Sequence, residues 1–253
     1  MTDFGTRDSY AGSMKGVILN IFPRATVVDL THEIEPQNVK QGAFILEAAY
    51  PYFPSGSLFV SVVDPGVGSE RRILAVKTKT GIFLVPDNGL ITRILQREKL
   101  WVARAVTNQR FFMKKISSTF HGRDCFAPTA AHLAKNPEQF YKLGPLITNP
   151  RRLSFPEPKK QGKKWIGEII YFDHFGNAFT NIPRNLVGLE LKNALRVRIG
   201  RRNLGFVRRS YFEVEKGKAV AVFSSTDLVE IAVNHGSARK NLKLREGTPV
   251  EIF

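Results

Sequence analysis

Phe59-Val60-Ser61-Val62-Val63-Asp64-Pro65-Gly66-Val67-Gly68-Ser69-Glu70-Arg71-Arg72 reads as a buried strand that runs into a glycine-rich loop. Residues 59–63 are an apolar, β-branched run of strand length. Asp64-Pro65 ends it, because proline donates nothing to a ladder and favours a turn. Gly66 and Gly68 admit backbone conformations that residues with side chains disfavour. Arg71-Arg72 leads into Ile73-Leu74-Ala75-Val76, a second strand-like run. A carboxylate and two guanidiniums are therefore expected at the carboxyl end of a central strand, which is where open α/β sheets bind ligands. An ordinary turn with a surface ion pair fits this stretch alone equally well.

Working outward, residues 25–30 (Ala-Thr-Val-Val-Asp-Leu) predict a strand, and residues 38–52 carry helical periodicity through Val39, Ala43, Phe44, Leu46, Glu47 and Tyr50. Residues 81–86 are another strand, Asp87-Asn88-Gly89 is a turn signal, and residues 90–96 look helical. Near the start, Asp3 and Asp8 precede small and apolar residues at helical spacing, with Asp8 or Ser9 as the expected N-cap. Residues 125–134 predict a helix with Pro128 in an early turn and His132 as a structural residue. Alternating strands and helices imply an α/β layer with a mostly parallel sheet. After Asn149 the composition changes. Pro150, Pro156 and Pro158, then Lys159, Lys160, Lys163 and Lys164 around Gly162, read as a linker. Beyond it, residues 165–172, 195–199, 219–223, 228–233 and 248–253 are short strand-like runs that imply a smaller all-β, barrel-like domain. The expected division is residues 1–157, a linker at 158–164, and residues 165–253.

The 253 residues are 43% hydrophobic, enough for a sizeable core. No run approaches the roughly 20 apolar residues of a membrane helix, and no signal-peptide pattern opens the sequence. The single cysteine, Cys125, cannot form an intrachain disulfide or a thiolate metal site by itself, so a cytoplasmic setting is expected. The net charge of +16 invites polyanions. The basic residues are spread out, however, and no helix-turn-helix, zinc finger or aromatic RNA-binding signature accompanies them. They read as a solvated surface, not as a nucleic-acid site.

Further polar knots punctuate the chain. Residues 117–124 (Ser-Ser-Thr-Phe-His-Gly-Arg-Asp) precede a helix and contain His121. Asp173-His174-Phe175-Gly176-Asn177, Ser224-Ser225-Thr226-Asp227 ahead of Glu230, and Asn234-His235-Gly236-Ser237-Ala238 interrupt the β-rich half. Each taken singly fits a plain turn.

Taken in order, six motifs resemble one family. They are Thr-Asp-Phe-Gly at 2–5, Val-Asp-Pro-Gly-Val-Gly at 63–68, Pro-Asp-Asn-Gly-Leu at 86–90, Thr-Phe-His-Gly-Arg-Asp at 119–124, Asp-x-Phe-Gly-Asn at 173–177 and Asn-x-Gly-Ser-Ala at 234–238. Their order and spacing are similar to the S-adenosyl-L-methionine hydroxide adenosyltransferases, relatives of the fluorinase and chlorinase. The resemblance spans essentially the whole chain. It implies hydrolysis of S-adenosyl-L-methionine to adenosine and L-methionine, on an α/β domain followed by a smaller β-barrel. It also implies a homotrimer with the ligand between subunits, and no metal or cofactor beyond the substrate.

By the same resemblance, Asp64, Arg71 and His121 form the water-activating set. Asp3 holds the ribose hydroxyls and Asp8 is a second acidic position. Asp173, Asn177, Ser225 and Glu230 hold the methionine and adenine ends, Phe175 packs on adenine, and the backbone at Val233 and Asn234 reads its edge. The halogenases place a tyrosine and a threonine near the halide, a serine in the region of Gly122, and a tryptophan near the position of Gln37. The present residues depart from all of these and agree with the hydrolases. A halogenase and a non-catalytic nucleoside sensor are the competing readings. The family also has a short apolar strand before Thr-Asp-Phe-Gly, whereas here Thr2 follows Met1 directly, so that strand is expected either upstream or missing.

Overall fold

In the computed structural model, which describes residues 1–188 and 195–253, the run before Asp64 forms the short strand β1 (Ser57–Val60). β2 (Ile73–Thr78), β3 (Gly81–Pro86), β4 (Trp101–Ala105) and β5 (Leu146–Ile147) join it in the spatial order β1-β3-β2-β4-β5. They belong to the first of two units, Met1–Leu153. Its helices are α1 (Tyr10–Ile21), α2 (Val39–Ala49), α3 (Thr92–Arg97) and α4 (Ala127–Lys135).

Side chains alternate across a strand, so one sheet feeds two apolar layers. Leu74, Val76, Phe83 and Val85 pack with Leu46 of α2 and Ile94 of α3. Their neighbours Ile73, Ala75, Ile82 and Leu84 pack with Met14 of α1 and Ala130 and Leu133 of α4. Both faces are covered, which is why β3 is buried along its whole length.

Three expectations are corrected. The sheet is not mostly parallel: β1 and β3 are parallel, whereas β2 pairs antiparallel with β3 and β4, and β4 with β5. A parallel neighbour needs a crossover of a dozen or more residues, and only Lys79-Thr80 separates β2 from β3. The strand before Asp64 lies at the sheet's edge, not its centre. Residues 25–30 are not a strand. A β-branched run becomes a strand only where a neighbour supplies a ladder. Among the described residues, the nearby backbone contributes the Thr2–Val62 bridge and single bonds from the Thr2 N–H to the Thr31 carbonyl (3.1 Å) and from the Gly5 N–H to the His32 carbonyl (2.7 Å), which make no ladder along residues 25–30.

The second unit, Ser154–Phe253, pairs its described strands antiparallel, with one isolated parallel bridge. It holds β6 (Lys159–Gln161), β7 (Lys164–Phe172), β8 (Ala178–Pro183), β9 (Arg196–Ile199), β10 (Arg202–Phe206), β11 (Ala219–Phe223), β12 (Leu228–Val233) and β13 (Pro249–Ile252), with short helices α5 (Arg184–Gly188) and α6 (Ala238–Asn241). The order β10-β9-β13-β7-β8-β12-β11 curls into a nearly closed barrel. An Arg208–Val222 bridge brings the chain after β10 against β11. Ile169, Val197, Ile231 and Val250 fill the interior. Residues 159–161, read from sequence as linker, are strand β6 paired with β7.

Candidate active site

β3 lies between β1 and β2, so the link from β1 to β2 must arch over the carboxyl end of β3. Asp64 and Arg71 stand at the two feet of that arch. Turns fold it, with Val67 N–H donating to the Asp64 carbonyl and Ser69 N–H to the Gly66 carbonyl (both 3.1 Å). The Asp64 and Arg71 side chains are 4% and 7% exposed. Arg71 directs both Nε (2.8 Å) and Nη2 (2.6 Å) at the same oxygen, Asp64 Oδ2. Asp64 Oδ1 is buried and has no hydrogen-bond partner among the described residues.

The second loop arrives from residues 113–121. Pro128, near the start of α4, has no N–H, and the backbone from Gly122 to Phe126 widens into a π-turn. The Asp124 carbonyl instead accepts the Met113 N–H (2.9 Å). The Asp124 carboxylate accepts the Ser117 N–H (2.8 Å) and Arg123 Nε (2.6 Å). Burial works against that carboxylate's charge, but the Arg123 and Ser117 hydrogen bonds outweigh it and hold its pKa below the ordinary value. The loop is thereby folded back so that His121 Nδ1 sits 2.9 Å from Arg71 Nη2.

Gly68 lets the two loops meet. Its φ is +79°, and a Cβ there would lie 2.4 Å from the Ser118 carbonyl oxygen. A residue with a side chain would meet both a strained backbone and a collision with main chain.

The protonation pattern follows from donor arithmetic. A guanidinium only donates, so His121 Nδ1 accepts and the neutral ring carries its proton on Nε2. Burial, then the neighbouring Arg71 charge, hold the His121 pKa below 6.5, which favours that neutral form. The site therefore offers a buried carboxylate oxygen with a free lone pair, a fixed cation beside it, and a neutral imidazole bonded to that cation. Such a set can accept a proton from a water while stabilising the hydroxide that forms.

Phe4, Tyr10 and Phe120 form an aromatic group beside this site, with centroids 5.1–5.9 Å apart; Phe120 meets the other two edge-on, and Phe4 and Tyr10 are tilted. A Cβ at Gly122 would touch Met14, Phe120 and Phe4 at 3.2–3.4 Å, so this wall closes onto the residue after His121. Asp3, next to Phe4, accepts the Gln37 N–H through Oδ2 (2.8 Å). Asp8 is exposed, and the helix N-cap at Ser9 has no side-chain cap bond. Cys125 is buried and its thiol is pushed up to about 11 by desolvation, which makes it unreactive.

The second unit gathers its own candidates. Asp173 accepts both the Asn177 N–H (2.8 Å) and Asn177 Nδ2 (3.0 Å), closing a turn that leaves Phe175 73% exposed. Ser225 is exposed in the β11–β12 turn. Glu230 is 2% exposed and accepts the Tyr211 hydroxyl at 2.7 Å. Burial raises the Glu230 pKa, against the opposing effect of the Tyr211 bond. Asn234 is not a free edge: its N–H donates to Lys218, its carbonyl accepts from Gly217, and the Val233 carbonyl accepts from Gly236.

Sequence reading had singled out neither Tyr211 nor Asn88 as site residues, and it had no signal for the first. Asn88 sat in a motif that could have flagged it.

Residues 1–144 match the SAM hydroxide adenosyltransferase N-terminal domain, and residues 167–251 its C-terminal domain. The chain is 39% identical to an (R)-S-adenosyl-L-methionine hydrolase of Thermus thermophilus, over all of this chain and 98% of that protein. A fluorinase of an Actinoplanes species is 28% identical over 73% of this chain and 70% of its own length. A conserved protein of Thermotoga maritima, known as a crystal structure, superposes with a TM-score of 0.92 at 37% identity, covering 99% of this chain and 97% of that one.

Proposed function

The chain belongs to the SAM hydroxide adenosyltransferase family, and from that premise we infer that it hydrolyses S-adenosyl-L-methionine to adenosine and L-methionine. Water attacks the ribose 5′ carbon. The new C–O bond forms as the C–S bond breaks, and its electron pair returns to sulfur to give a neutral thioether. The leaving group needs no proton, so the chemical difficulty lies in the nucleophile. Asp64 Oδ1 takes the water proton, Arg71 stabilises the developing hydroxide, and His121 steadies Arg71 by accepting from the Nη2 that also bonds Asp64. The observation that carries this assignment is the buried Asp64 Oδ1, without a hydrogen-bond partner among the described residues, beside a guanidinium whose Nε and Nη2 are held by Asp64 Oδ2 and His121 Nδ1. Asp3, Asp8, Asp173, Phe175, Asn177, Ser225 and Glu230 are assigned to substrate binding, as is the backbone at Val233 and Asn234. A homotrimer in a reducing, cytoplasmic setting completes the proposal. No helix among the described residues is long and apolar enough to cross a membrane.

Chromatography of S-adenosyl-L-methionine incubated with the protein tests the reaction. Adenosine and methionine, in amounts indifferent to chloride, are expected. A 5′-chloro-5′-deoxyadenosine product, or no turnover with binding intact, would overturn it.

The acid limb of the pH profile tests the state of His121. Protonating Nδ1 breaks its bond to Arg71 and sets two cations side by side. With the folded pKa below 6.5, kcat/KM should stay level as pH falls to 6.5 and drop only below it. Stability should decline in the same window, because the unfolded chain takes up the proton first. His121→Asn, which keeps an acceptor, should abolish that limb. A limb centred above 6.5 in the unaltered protein would contradict the neutral assignment.

A further inference from the structure

The Pro86-Asp87-Asn88-Gly89 turn is used by nothing in the reaction described above, yet it touches both ends of the arch that carries the reacting side chains. Asn88 Nδ2 donates to the Val63 carbonyl (2.8 Å), the last peptide before Asp64. Asn88 Oδ1 accepts the Leu90 N–H (3.2 Å), which fixes the amide's orientation. One residue earlier, the Asp87 N–H donates to the carbonyl of Arg72, the residue after Arg71 (2.9 Å). The Asp87 carboxylate is 1% exposed and accepts Arg72 Nε (2.7 Å) and Nη2 (2.6 Å) through Oδ2. Its other oxygen accepts the Arg151 N–H (2.7 Å). Gly89 continues the turn at φ +95°, where a Cβ would meet Leu153 at 2.5 Å.

The topology makes this arrangement natural. β1 runs parallel to β3 and β2 antiparallel to it, so the exit of β1 and the entry of β2 both flank the carboxyl end of β3. Two consecutive residues there reach the peptides on either side of the loop, residues 63 and 72. Between them lie eight residues with two glycines and a proline, held internally by turns at Asp64 and Gly66, by Ser69 Oγ and by the Asp64–Arg71 pair, while Asn88 and Asp87 hold its two ends.

The geometry points to Asn88, with Asp87 beside it, as a positioning residue that sets the register of Asp64 against Arg71 and His121 by clamping both feet of the loop. It touches no reacting atom and acts through Asp64. This rests on the hydrolase reading for its kinetic consequence but not for its structural one.

Asn88→Asp isolates the contact, because it keeps the size and the acceptor for Leu90 while replacing the donor to Val63 with an oxygen. Asn88→Ala is the second variant. With wild-type turnover established, each folded variant should lose kcat on the order of 10- to 100-fold, because displacements near 1 Å are that costly to aligned reactants. KM should stay within about threefold, since substrate-holding residues lie elsewhere. The imidazole titration of His121, followed by NMR and identified with His121→Gln, should move up towards the ordinary histidine value as Arg71 drifts from Nδ1. That titration separates the two ideas, since it requires no turnover. An inactive wild type with a shifted His121 would sink the hydrolase and keep the clamp. An active wild type whose Asn88 variants retain kcat within twofold, or leave the His121 titration in place, would sink the clamp alone. Variants that do not fold would also overturn it, by showing that residue 88 supports the unit as a whole.

Discussion

Asp64→Asn should lower the rate of adenosine release by about 10³-fold, within the roughly 10²- to 10⁴-fold range of a lost general base. The substitution keeps the volume and an oxygen that can still accept from Arg71. What it removes is the basic oxygen that has no other partner, Oδ1. The loss should fall in kcat with KM little changed, because a proton acceptor acts as charge develops and not when substrate binds. Single-turnover measurement of adenosine, with substrate binding measured separately by calorimetry, checks both parts. Retention of a tenth or more of the wild-type rate would move the base elsewhere, His121, which bonds the same guanidinium, being the alternative.

Arg71→Leu should be the more damaging change, because it acts on stability and on chemistry together. It strands the Asp64 carboxylate, whose hydrogen bonds among the described residues all come from Arg71, in a site where it is 4% exposed. Breaking a buried pair from one side costs about 3–5 kcal/mol. For a chain of this size that is a fall in Tm of roughly 6–20 °C by the usual 2–4 °C per kcal/mol. The double variant Asp64→Asn/Arg71→Leu should recover much of the lost stability, because it no longer buries an unpaired charge. It should recover none of the activity. Thermal unfolding of the four proteins of this cycle gives the coupling directly. If the double variant is as unstable as the sum of the singles, the two side chains do not depend on each other and the site's electrostatics are misread. The contrast between recovered stability and absent turnover also distinguishes a lost catalytic pair from a chain that has merely unfolded.

Both effects trace to the same feature, a guanidinium used on three sides. Oδ2 of Asp64 holds one edge, His121 Nδ1 takes a second, and the Phe126 ring lies 5.7 Å beneath its centre. A lysine could supply the charge at position 71 but not this fork.

The sequence by itself set the local turns and, through six ordered motifs, the family resemblance. The grouping of Asp64, Arg71 and His121 came from that resemblance, whereas the turns that carry them were legible from Pro65, Gly66, Gly68 and Gly122, because turn chemistry acts over a few residues. Most helices and the β-rich half were legible for the same reason, since periodicity and turn signals are local. What the sequence left undecided depended on distant partners. The run at 25–30 has strand composition and is not a strand, because a ladder needs a neighbouring strand and none of the described residues supplies one there. The sheet's direction was misread because helices alternate with strands elsewhere, while the two-residue Lys79-Thr80 turn forces β2 and β3 to oppose. The binding of His121 to Arg71, 50 residues away, was expected only from resemblance. Tertiary structure alone decided that Gly68 meets Ser118, that Asn88 grips Val63, and that one oxygen of Asp64 is spoken for while the other is free. These are contacts between segments that only the folded sheet brings within hydrogen-bond range, and no local propensity encodes them.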